Sequence, residues 1–158
     1  MPASQARRGA RGFTLLEMIV TATVLLILAS AVVPMAKNGL KRQRELELRR
    51  ALREMRTAID NYKAAAEQQR IKPPPPENMG YPENLDVLVD GVEVTGRATG
   101  KLRFLRRVPV DPMTGKAEWG MRSTNDDPKS TSWGGGHVFD VYTNSPGVGM
   151  NGVAYKEW

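Results

Sequence analysis

The sequence predicts an α+β protein in which one long N-terminal helix, half suited to a membrane and half amphipathic, packs on a small antiparallel sheet. Three observations lead there. Residues 13–36 form an apolar run; residues 48–66 carry an apolar stripe at helical spacing; and after four consecutive prolines, short β-prone segments alternate with Gly, Asn, Asp and Ser. The chain is accordingly divided into residues 1–12, 13–36, 37–72 and a C-terminal globular domain, 73–158.

The apolar run comes first. Its 24 residues contain one ionisable side chain, Glu17, and as helix at about 1.5 Å per residue they would cover roughly 36 Å, enough to cross a hydrocarbon core. Arg7, Arg8 and Arg11 precede it, so the positive-inside bias keeps the N-terminus cytoplasmic and sends the rest across. Glu17 is the anomaly, because a carboxylate in a membrane helix costs about 2.5–3.5 kcal/mol on insertion scales unless something pairs with it. One partner lies within its own helix, whose N-terminal N–H groups and dipole favour an anion by about 0.3–1 kcal/mol. Pro34 removes an intrahelical hydrogen bond, and a helix kink is expected there, with Gly39 adding to the weakness.

In residues 37–72 the stripe is Leu48, Leu52, Met55, Ile59, Tyr62 and Ala66, spaced 4, 3, 4, 3, 4, which draws one face of a helix. Glu45 with Arg49, and Glu47 with Arg50, stand at pairing distances along a helix, each pair contributing a few tenths of a kcal/mol. The basic residues Lys41, Arg42, Arg44, Arg49 and Arg50 read as a solvated face or a collar near anionic headgroups. With no aromatic side chain among them, nucleic acid is not an expected partner. Pro73, Pro74, Pro75 and Pro76 stop the helix, so a nearly continuous helix is expected up to Ile71.

Beyond the prolines, residues 83–89 predict a short helix or turn with Leu85, Leu88 and Val89 inward, and residues 91–100 a Gly and Thr loop. Strands are expected at 117–122, 138–142 and 153–158, giving about three strands against the helix stripe.

Composition sets bounds on chemistry. The formal charge is +6, but residues 1–12 carry three arginines and no acid, and without them the balance is 20 basic against 17 acidic. Half of the basic excess is therefore local to the N-terminus, which weakens the argument for nucleic acid. The chain has no cysteine, which removes disulfides, thiolate metal sites and cysteine nucleophiles. His137 is the single histidine and reads as a surface or strand-edge residue beside a glycine run. Gly134, Gly135 and Gly136 lack the Lys-Ser/Thr of a P-loop and the spacing of a dinucleotide fingerprint, and Asp126 with Asp127 reads as a solvated turn. The chain is expected not to be an enzyme.

Gly12-Phe13-Thr14-Leu15-Leu16-Glu17 followed by an apolar helix resembles the signal of type IV pilins and type II secretion pseudopilins. The resemblance implies a leader of residues 1–12 cut by prepilin peptidase between Gly12 and Phe13, and N-methylation of the new terminus at Phe13. It also implies filament assembly through Glu17, paired with the Phe13 amine of a neighbouring copy. A buried amine needs a buried anion, which agrees with that pairing. The implied architecture is the pilin-like lollipop. The implied setting is the bacterial inner membrane, single-pass, with the C-terminal domain in the periplasm; the partners are further copies in a helical filament, other pseudopilins and an inner-membrane assembly platform.

The C-terminal half is similar to the G-type major pseudopilin of type II secretion. The similarity rests on Tyr81-Pro82, Val108-Pro109-Val110-Asp111-Pro112, Phe139-Asp140-Val141-Tyr142, and a Gly-rich loop over residues 145–152 before Trp158. It departs in two places. Asp111-Pro112 is followed by Met113-Thr114 where the family has Trp-Gly, leaving Trp119 as the candidate for that core role. The family also holds calcium in its last loop with aspartates, whereas Gly147-Val148-Gly149-Met150-Asn151-Gly152 has none and calcium wants six to eight oxygens. No metal or cofactor is assigned, although Asp126, Asp127 and Asp140 could contribute to calcium if the insertion at residues 124–136 folds back. Trp133 is expected to brace that insertion by packing.

Two other readings stay open. One is a type IV pilin of a surface pilus serving adhesion, motility or DNA uptake. The other is a soluble secreted domain released after Ala31 in the small-residue pattern Ala29-Ser30-Ala31, beside which an uncleaved anchor is the third treatment of the same segment.

Overall fold

The computed structural model describes residues 12–96 and 100–158, with the side chains of residues 31–36 excepted. The leader expected at residues 1–12 lies outside the described residues but for Gly12, and so do the side chains around the kink expected at Pro34. The chain forms two compact units, residues 1–40 and 41–158.

Helix α1 spans Leu15–Glu67 and contributes to both units. The stripe read from the sequence is the core face of the second: Leu48, Leu52, Met55, Ile59, Tyr62 and Ala66 are all buried. Ala51, Ala58 and Ala65 are buried beside them, so the covered face is wider than the stripe. Small side chains let neighbouring elements approach the helix closely there.

The helix stops before the prolines, at Glu67 rather than at residue 71 or 72. Arg70 N–H donates to the Ala65 carbonyl and Gln69 N–H to that of Ala66, with Gln69 at φ 56°. This is the Schellman arrangement that satisfies the last carbonyls of a helix. The segment then pairs sideways, with Ile71 bridging Val94, Lys72 N–H bonded to the Glu93 carbonyl and Thr95 N–H to that of Arg70. Burying Ile71 completely outweighs one more turn of exposed helix.

Helix α2, Leu85–Asp90, is capped by Asn84, whose side chain accepts the Val87 N–H at 3.0 Å. Its Leu85 and Leu88 are buried as expected, and Val89 is half-buried. In place of one three-stranded sheet there are two antiparallel pairs among the described residues: β1 (Val92–Glu93) with β2 (Lys101–Leu102), and β3 (Trp119–Arg122) with β4 (Asp140–Thr143). β1 lies in the stretch expected to be loop. The third expected strand is instead a 3-10 turn, Tyr155–Glu157. Pairing there is limited to a bridge between Val148 and Ala154, made by the Gly149 N–H to Val153 carbonyl and Tyr155 N–H to Gly147 carbonyl bonds, and the 3-10 turn that follows takes the chain out of the ladder.

Trp119, the candidate for a core role, is buried, and its indole N–H reaches the Pro109 carbonyl at 2.9 Å. Gly120 lies opposite Tyr142 in the β3–β4 ladder, and a Cβ at Gly120 would run into the Tyr142 ring. On the ring's account, Gly120→Ala is expected to destabilise the second unit by about 1–3 kcal/mol, the usual cost of overpacking. A thermal melt checks this, and an unchanged midpoint would show that the ring can move aside.

Candidate processing and assembly site

The described hydrophobic residues of the first unit are exposed instead of buried. Phe13 is 75% and Leu15 80% exposed, and Leu16, Met18, Ile19, Val24, Leu25, Leu26, Ile27 and Leu28 are likewise open on all sides of α1. A helix apolar all round belongs in a bundle core or in lipid. Its few hydroxyls are turned inward, Thr21 to the Glu17 carbonyl at 2.9 Å, Thr23 to that of Ile19 at 2.7 Å and Ser30 to that of Ile27 at 2.7 Å. Polar atoms satisfied within their own helix suit apolar surroundings. Among the described residues, no helix is long and apolar enough to cross a membrane. The described apolar turns, residues 15–30, reach about 24 Å at 1.5 Å per residue, and the side chains of the residues that continue the run, 31–36, are not described.

The start of α1 separates what the chain needs for itself from what it does not. Thr14 is the N-cap: its Oγ1 accepts the Glu17 N–H at 3.2 Å and its carbonyl the Met18 N–H at 3.1 Å. Thr14-Leu15-Leu16-Glu17 has the spacing of a capping box, in which the acid would bond back to the N-cap amide. Only the threonine half is formed. Among the described residues the Glu17 carboxylate makes no hydrogen bond or ion pair, and one of the helix's N-terminal N–H groups, that of Glu17 itself, is satisfied by Thr14. Gly12 precedes the helix in exposed, non-helical chain, and a Cβ there would meet nothing within 4 Å. Neither Gly12 nor the Glu17 carboxylate is demanded by the chain's own packing.

The other loops hold themselves with their own side chains. Asp126 Oδ2 accepts from Ser123 N–H at 2.7 Å, Ser123 O–H at 2.9 Å and Gly134 N–H at 3.2 Å. The two backbone donors hold its carboxyl below the usual carboxylate range. His137, expected at the surface, is buried: its ring stacks on Tyr81 with centroids 5.7 Å apart, and Nε2 lies 3.2 Å from the Thr124 amide and 2.9 Å from its hydroxyl. An amide pointing at Nε2 makes that nitrogen an acceptor. Trp133 is 38% exposed and braces the insertion by a hydrogen bond, from its indole N–H to the His137 carbonyl at 3.1 Å.

Asp140 stands between two guanidinium groups, Arg56 at 2.7 Å and Arg122 at 3.4 Å. Arg122 is buried, lies 4.1 Å from the centroid of the Tyr142 ring, and donates to the Ser130 and Lys156 carbonyls. Asp126 and Asp140 are thus committed to separate networks, and among the described residues no group of three or more metal-ligating side chains forms.

Neither pair expected along the helix is present among the described residues. Glu47 accepts from Gln43 at 3.1 Å, and Glu45 is buried, its Oε1 accepting the Met150 N–H at 2.9 Å and the Tyr155 O–H at 3.0 Å. Burial, with Glu45 beside it, raises the Tyr155 phenol above its ordinary value and keeps it a donor. Sequence reasoning missed Glu45. Its one signal was its place one turn before Leu48 on the side that the stripe buries.

Residues 7–33 match the family model for the prokaryotic N-terminal methylation motif, the signal of type IV pilin-like substrates of prepilin peptidase. No curated protein and no solved structure matches the chain.

Proposed function

We propose that this chain is a structural subunit of a type II secretion pseudopilus. The subunit is inserted in the inner membrane, loses residues 1–12 to prepilin peptidase, is N-methylated at Phe13, and joins a periplasmic filament with further copies and other pseudopilins. An inner-membrane platform drives assembly, and extension of the filament moves proteins outward.

The observation that carries the reading is the pairing of two features that the fold itself leaves without a use. Gly12 sits in open chain where a side chain would be tolerated, and Glu17 is an acid without a partner among the described residues, in the otherwise apolar turns 15–30 of α1. A peptidase that reads Gly12, and a neighbouring Phe13 amine that needs an anion, account for both. The C-terminal resemblance and the lack of cysteine favour a pseudopilus over a type IV pilus, which has the same N-terminal requirements.

The test is the intact mass and N-terminal sequence of the protein from native membranes. Methyl-Phe13 is expected. A start near Val32 would replace the filament reading by a released domain, and an intact Met1 would replace it by an uncleaved anchor. Deletion of the gene then separates the two filaments: lost protein export marks a pseudopilus, lost surface fibres with export intact a pilus.

A further inference from the structure

The resemblance to G-type pseudopilins implies a calcium ion in the last loop, and the residues present do not fit one. In residues 143–153 the side-chain oxygens of Thr143, Ser145 and Asn151 accept from the loop's own backbone, while Asn144 turns its amide N–H out to the Glu118 carbonyl. Thr143 Oγ1 accepts the Ser145 N–H at 3.0 Å while donating to Asp111; Ser145 Oγ accepts the Gly147 N–H at 3.3 Å; Asn151 Oδ1 accepts the Val153 N–H at 3.2 Å. The loop has no carboxylate of its own, whereas calcium sites are built largely from carboxylate and carbonyl oxygens.

A carboxylate reaches the loop from outside it. Glu45, on α1 and 6% exposed, meets Met150 N–H and Tyr155 O–H with one oxygen, across more than 100 residues of sequence. The two donors stand on either side of the turn that the Gly149–Val153 and Tyr155–Gly147 backbone bonds close. A buried carboxylate is tolerable only when hydrogen-bonded, and charge-assisted bonds are about twice as strong as neutral ones.

We infer that Glu45 is a built-in latch that fastens the C-terminal loop to α1 and does for this chain what a bound calcium does in the proteins it resembles. A cation organises a loop by gathering its carbonyls; an anion organises it by gathering N–H and O–H donors, and this loop offers donors. Loop order is therefore independent of free calcium and dependent on Glu45. The inference rests on the second unit alone and stands whichever filament the chain builds.

The experiment uses the full chain in detergent, with hydrogen exchange at the Met150 amide and thermal melts, in calcium chloride at about 1–10 mM, at or above the roughly 10⁻⁴–10⁻³ M range of extracellular sites, or in EGTA. For the unaltered chain, protection and midpoint are expected to be the same in both. Glu45→Ala is expected to speed Met150 exchange by about tenfold or more, with no rescue by calcium. Glu45→Gln, which keeps an acceptor oxygen, should be affected less. If Glu45→Ala fails to fold, Tyr155→Phe removes one donor only and should loosen the loop partially. A midpoint several degrees higher in calcium than in EGTA, or Met150 protection unaffected by these substitutions, would overturn the latch.

Discussion

Replacing Glu17 by alanine is expected to leave cleavage between Gly12 and Phe13 within about twofold of normal and to abolish filaments. On the proposed reading the peptidase acts at Gly12, in chain that precedes α1, and Thr14 caps the helix without help from the Glu17 carboxylate, so the local structure at that site is expected to survive. Assembly would differ, because in the proposed filament the new Phe13 amine enters a bundle of helices whose described N-terminal turns are apolar on every side. An uncompensated charge there costs several kcal/mol after relaxation, and the cost recurs at each added subunit. Glu17→Gln keeps the shape and loses the charge, so it should also fail. The processed fraction is read by mass spectrometry and filaments by electron microscopy of sheared material. Normal filaments from Glu17→Ala would remove the pairing from the mechanism while leaving the processing reading intact.

The second large effect is expected at Asp140. Asp140→Ala should destabilise the second unit by roughly 2–4 kcal/mol, somewhat below the 3–5 kcal/mol of a wholly buried pair because solvent reaches part of this one. The side chain of Arg122 is 6% exposed, that of Asp140 25% and that of Arg56 38%. Loss of the carboxylate therefore leaves Arg122 as a buried cation facing a ring and two carbonyls, while Arg56 can turn to water. A melt should show the midpoint falling by about 10 °C or more, given 4–8 °C per kcal/mol for a small domain. Asp140→Asn retains an acceptor and should lose less. If Arg56→Ala proved as harmful as Asp140→Ala, the weight would lie in the exposed pair and not in the buried one. The network ties α1 to both strands of the β3–β4 pair and to the carbonyls of Lys156 and Trp158, so its loss is expected to loosen the C-terminal segment as well.

The two networks explain why the C-terminal half was harder to read than the N-terminal half. Asp140 was legible as part of Phe139-Asp140-Val141-Tyr142 and was considered as a calcium ligand. Its two arginine partners lie 84 residues before it and 18 before it, and no local pattern announces such a meeting. His137 was read as a surface or strand-edge residue because a histidine after three glycines has no sequence mark of burial; the Tyr81 ring and the Thr124 amide that enclose it come from two other segments. Glu45 was assigned to Arg49 because a helix brings those two within reach, but an isolated exposed pair contributes less than two donors in a buried loop.

What the sequence determined by itself is the part governed by local and periodic physics. The apolar run, the single acid within it, the glycine before it and the 4, 3, 4 stripe all follow from neighbours within a few residues, and the described part of each stands in the structure where the spacing put it. Tertiary structure decided the end of α1 at Glu67, the splitting of one expected sheet into two strand pairs, and the partners of Glu45, Asp140 and His137. Those outcomes depend on which distant groups compete for the same hydrogen bonds and buried area, a contest that is settled only when the chain has closed on itself.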